Sequence, residues 1–113
     1  MNEYIEYLDK TIIELQKEEN ELIQTNRKDE ANFIRIKRNM CDICKTVYNV
    51  HAKQKSGDEL KEIYITQLTK LADNWKMSLE KAEKFGDTQK VLIEEIKLEM
   101  MEMIKKKFEE IGE

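Results

Sequence analysis

No proline interrupts this chain, and its glycines, Gly57, Gly86 and Gly112, stand one at a time. Sheets reverse direction through clusters of Gly, Pro, Asn and Asp recurring about every 8 to 12 residues. Such clusters are missing, so α-helix is the regular structure left open, in a chain rich in Glu, Lys, Leu, Ile and Met. Disorder is excluded by an apolar content of 40%, set at regular intervals. With 113 residues the chain reads as a single domain, 1–113, with material for one core.

The few breakers divide the sequence. Ser56-Gly57-Asp58-Glu59 offers a capping box from Ser56 to Glu59, or a glycine stop at Gly57 followed by an Asp58 cap. Gly86-Asp87 repeats the signal, and Thr25, Asn26 and Asp29 supply weaker cap candidates upstream. These marks predict helices over 2–24, 28–55, 59–84 and 88–111, an all-α, antiparallel up-down bundle of four helices of about 25 residues. The spacing between glycines falls short of a tetratricopeptide unit, and the Ala82-to-Asp87 pattern does not recur as a repeat motif.

Apolar periodicity fills in the faces. Tyr4, Ile5, Leu8, Ile12, Leu15, Leu22 and Ile23 form the first, interrupted by Glu19. Phe33, Ile36, Met40, Ile43, Val47 and Val50 form the second at heptad spacing, and Leu60, Tyr64, Leu68, Leu71, Trp75, Leu79 and Ala82 the third. Leu92, Ile93, Ile96, Met100, Met103, Ile104 and Ile111 form the fourth. The heptad phase of the first face runs into the second with no Gly or Pro between. One long N-terminal helix over 1–55 is therefore the alternative; with two shorter helices it would make a three-helix bundle that needs a dimer to cover it. A second apolar line on the fourth helix, Val91, Leu98, Met101 and Phe108, lies off its main stripe and predicts an exposed contact with a second copy or another protein.

Charge argues in the same direction. Residues 1–26 carry seven acidic and two basic side chains, and residues 27–57 carry eight basic and three acidic. An antiparallel hairpin would pair them internally. The competing use of the basic stretch, Arg27, Lys28, Arg35, Lys37, Arg38 and Lys45 above all, is to bind nucleic acid, which the net charge of −4 disfavours.

Chemistry concentrates in NMCDICKTVYNVH, residues 39–51, which holds Cys41, Cys44 and the single histidine, His51. Cys41 and Cys44, one turn apart, could supply two ligands to zinc, but four are needed. His51 lies about 10.5 Å further along the helix axis, too far to join them. A redox pair belongs at a helix N-terminus, whereas these thiols fall mid-helix beside Asp42. On a helical wheel Cys44 and His51 enter the apolar face and Cys41 borders it, so the stretch reads as core. Neither a catalytic constellation nor a phosphate loop is present, so no enzyme and no cofactor are expected. No run is apolar enough for a membrane span, and two cysteines without an export signal suggest cytoplasm. The expected role is protein–protein interaction or scaffolding, with homodimerisation through helix faces; a nucleic-acid-associated regulator using residues 27–55 is the alternative.

Overall fold

A computed structural model describes residues 2–112 as four helices, with no strand among them. They are α1 (Asn2–Gln24), α2 (Lys28–Ala52), α3 (Gly57–Lys84) and α4 (Thr88–Gly112). The long N-terminal helix is thereby ruled out. Asn26 takes a left-handed backbone, φ 60°, and the Arg27 N–H bonds the Leu22 carbonyl at 2.8 Å while the Asn26 N–H bonds that of Ile23 at 3.1 Å. This is a Schellman stop, for which asparagine is the usual substitute for glycine. Gly86, φ 69°, builds the same stop: Asp87 N–H reaches the Ala82 carbonyl and Gly86 N–H that of Glu83. Asp87 then caps α4, its Oδ1 accepting from the Lys90 N–H at 3.1 Å.

Neither expected cap forms at the middle break. Ser56 occupies the N-cap position without a side-chain bond, and Gly57, φ 60°, opens α3 rather than closing α2. α2 ends earlier than its periodicity suggests, at Ala52, where the His51 carbonyl accepts from both Gln54 and Lys55.

α1 packs most extensively on α2 and α3 on α4, and the two hairpins meet through α2 against α4, α2 against α3 and α1 against α4. Tyr4, Leu8, Met40, Cys41, Cys44, Tyr48, Leu60, Tyr64, Leu68, Met100, Met101, Ile104 and Phe108 form one core. All lie in the halves of the hairpins away from the tips at residues 25–27 and 85–87.

The second hairpin repeats the first at an offset of 60 residues. Tyr4 and Tyr64 occupy equivalent places and their hydroxyls hydrogen-bond at 2.5 Å. Leu8 and Leu68 are both fully buried, as are Met40 and Met100, Cys41 and Met101, Cys44 and Ile104, Tyr48 and Phe108 to within a few per cent. Lys45 donates to Asp9 in one hairpin and Lys105 to Thr69 in the other. The Tyr4–Phe108 edge contact, centroids 4.8 Å apart, is matched by Tyr48–Tyr64 at 5.2 Å. Contacts that survive exchange of the halves define an approximate twofold axis through the four rings. The sequence conceals it because the identities, such as Tyr4/Tyr64, Ile36/Ile96 and Met40/Met100, are few.

The molecule measures 43 × 35 × 21 Å, and its radius of gyration is 15.3 Å. A compact chain of this length would have one of about 13 Å. The excess lies in the hairpin tips, which reach beyond the shared core.

Candidate functional site

The thiols are sealed. Cys41 and Cys44 are free and fully buried between the hairpins. Burial, with the Asp42 carboxylate adding to it, pushes Cys41 up to about 12. Burial and the neighbouring Cys41 do the same for Cys44. Thiols that keep their protons in this way are poor nucleophiles and poor metal ligands. No group of three or more His, Cys, Asp or Glu side chains among the described residues is placed to hold a metal ion. His51 is half-buried at the end of α2.

The exposed line expected on α4 is not exposed. Met101 and Phe108 are 2% and 3% accessible, part of the aromatic and sulfur core at the twofold axis, and Val91 and Leu98 are half-buried. What covers them is this chain's own α1, α2 and α3, because the buried arc of α4 is centred between the two apolar lines. Glutamate at Phe108 would unfold the bundle, so that substitution reports nothing about assembly. Residues assigned to the main stripe face outward instead: Leu92 is 43% and Met103 59% accessible.

α2 divides in the same manner. Met40, Cys41, Cys44 and Tyr48 point into the core, while Ile43 is 39% and Val50 56% accessible, with Ile36 and Val47 half-buried beside them. Ile36, Ile43, Val47 and Val50 follow one another at steps of seven, four and three along a single edge of α2. The arrangement can bury a second helix along that edge, as the seam of a coiled coil does. Sequence periodicity found these residues but merged them with the inward line.

The basic stretch is largely engaged. Glu19, 6% accessible, accepts from Arg35 at 2.8 Å and pairs with Arg38 at 3.3 Å. Lys45 bonds Asp9 at 2.6 Å, and Arg27 pairs with Glu30. α2 thus spends three of its cations on α1, as their opposite charges imply. In the C-terminal hairpin the places of Glu19 and Arg38 are taken by Leu79 and Leu98. Its buried acid is Glu94, bonded to Lys97 at 3.2 Å, with Lys97 in turn 5.9 Å above the Trp75 ring. No helix among the described residues is long and apolar enough to cross a membrane.

Compared with protein-family models, with curated proteins and with solved structures, the chain matches none.

Proposed function

We propose that this chain is a non-catalytic helical interaction module that self-associates, and presents itself to partners, through the outer edge of α2. The supporting observation is the line Ile36, Ile43, Val47 and Val50, repeated at near-heptad steps along one edge of the helix, where Ile43 and Val50 are exposed and Val47 also touches the core. An outer face in a bundle of this charge content, 39%, is expected to carry polar side chains there. The extended shape agrees, since the tips leave more surface than a compact chain would. Two free thiols fit a reducing compartment such as the cytoplasm.

The nucleic-acid reading has less support, because Arg35, Arg38 and Lys45 already hold Glu19 and Asp9. Sedimentation velocity of the wild type and of the Ile43→Glu/Val50→Glu variant tests the proposal. The wild type is expected as a dimer, and the variant as a monomer with unchanged far-UV circular dichroism, since neither side chain belongs to the core. A wild type that sediments as a monomer at every concentration removes self-association through α2.

A further inference from the structure

The links between the helices are not built alike. Asn26 and Gly86 end α1 and α3 with Schellman stops, which lock the tips of the two hairpins. The link from α2 to α3 has no such stop. The Lys55 N–H still bonds the His51 carbonyl at 3.0 Å, a four-residue helical step. The Leu60 N–H already bonds the Ser56 carbonyl at 3.3 Å, a step of the same kind. Reversal of the chain falls to the short stretch between, where Ser56 is extended and Gly57 left-handed. Little holds that stretch down. Ser56 makes no side-chain cap bond, and both Ser56 and Gly57 are exposed. An opening of about 530 Å³ separates them from Tyr48, Leu60 and Phe108 beneath. Lys55 and Glu59 pair across the break at 2.9 Å with i, i+4 spacing, a contact that a continuous helix would keep. With no proline in the chain, α2 can run straight into α3.

Straightening would part the hairpins and bare the core they share. Each hairpin would stay whole, because its two helices pack most extensively on each other. The ion pairs of Glu19 with Arg35 and Arg38, and of Asp9 with Lys45, also lie within one hairpin. The bared faces are matched in size to the opposite kind of hairpin. Small Cys41 and Cys44 stand where the C-terminal hairpin has Met101 and Ile104, all of them buried. Two N-terminal hairpins together would leave the core short of volume, and two C-terminal ones would overfill it. Only an N-terminal hairpin with a C-terminal one restores the native packing.

We infer that two copies of this chain exchange hairpins: α2 and α3 join into one helix, and each N-terminal hairpin packs on the C-terminal hairpin of the other copy. The dimer then holds two cores like that of the monomer, so concentration and the link decide between the two forms. Gly57 is the hinge, since its left-handed backbone belongs to the closed link alone. This association uses the inner faces of the hairpins, and stands whether or not the outer edge of α2 self-associates.

The test uses the full chain carrying Ile43→Glu/Val50→Glu, which removes the outer edge as a route to dimers. Gly57→Ala is then added; a methyl there would meet nothing within 4 Å, so packing is left intact. Alanine penalises the left-handed backbone of the closed link and favours the continuous helix. With two links relieved per dimer, the association constant should rise about thirtyfold in sedimentation equilibrium. Gly57→Asn should raise it far less, because asparagine accepts a left-handed backbone, as at Asn26. Refolding a mixture of isotope-labelled and unlabelled Gly57→Ala chains, followed by isotope-filtered NOEs, reads the arrangement. The contact between the Tyr4 and Phe108 rings, centroids 4.8 Å apart, should then cross between chains. A Gly57→Ala chain that stays monomeric at NMR concentrations overturns the inference. So does a dimer whose Tyr4–Phe108 contact stays within each chain, or an equal rise for Gly57→Asn.

Discussion

The two hairpins share one backbone plan and differ in what holds their tips. Both turn through a Schellman stop, at Asn26 and at Gly86, and both bring the same positions to the axis. Beyond the core, the N-terminal hairpin clasps α1 to α2 with a buried carboxylate between two guanidiniums, whereas the C-terminal one sets Leu79 and Leu98 at those places. Geometry is thus set by the core and the turns, and tip chemistry is free to vary. A buried ion pair that fails leaves an uncompensated charge, while a leucine contact only loses area. The hairpins should therefore respond alike to changes at the axis and differently to changes at the tips.

Paired core truncations are the most severe test of that likeness. Leu8→Ala and Leu68→Ala remove equivalent, fully buried side chains and should each cost about 2 to 5 kcal/mol in urea denaturation. A large gap between the two values would break the equivalence of the halves.

Next in size is the clasp. Glu19→Ala leaves Arg38 without its partner and should destabilise by about 2 to 3 kcal/mol, below a fully buried pair because Arg35 stays half in water. Grafting the other hairpin's residues, Glu19→Leu with Arg38→Leu, should return the protein to wild-type stability or slightly above it. If the double variant is as weak as Glu19→Ala, the tips differ in more than their side chains.

Alkaline pH probes the axis itself. Cys41 and Cys44 are raised to about 12 by burial, from an ordinary value near 9. Groups kept neutral by folding contribute fully below their unfolded value, so stability should hold to about pH 9 and fall as pH rises toward 12. Burial raises Tyr4 and Tyr64 as well, which steepens the loss above about pH 10. Urea midpoints at stepped pH follow it, and native thiols should react with a disulfide reagent far more slowly than unfolded ones.

The smallest effect belongs to the turns. Asn26→Gly gives the first hairpin the stop of the second and should add about 0.5 kcal/mol, whereas Gly86→Ala should cost about 1 kcal/mol because its φ is positive. Thermal midpoints of the two variants would show opposite signs.

Much of this architecture was readable in the sequence. Scarce breakers and period-3.6 spacing placed all four helices and the inward faces of α1 and α3, and the acidic-then-basic charge pattern anticipated the α1–α2 pairs. The faces of α2 and α4 were not readable, for a physical reason. Both helices carry apolar residues around a broad arc, and spacing cannot say which part of an arc meets the core. Apolar spacing alone puts Ile43 and Met103 inward and Met101 and Phe108 outward, and the packing reverses them. Helix lengths alone could not reveal the offset of 60 either, because equivalent places hold chemically different residues, Cys44 against Ile104 or Glu19 against Leu79.

Native-state hydrogen exchange, resolved by residue, bears most directly on the claim that two like hairpins share one core across an approximate twofold axis. Amides near Tyr4–Leu8 and Tyr64–Leu68, and those of Met40–Tyr48 and Met100–Phe108, should exchange together, at the free energy of global unfolding. The tips at 20–30 and 80–90 should open at lower cost. Protection confined to one hairpin, with its counterpart exchanging freely, would contradict the account.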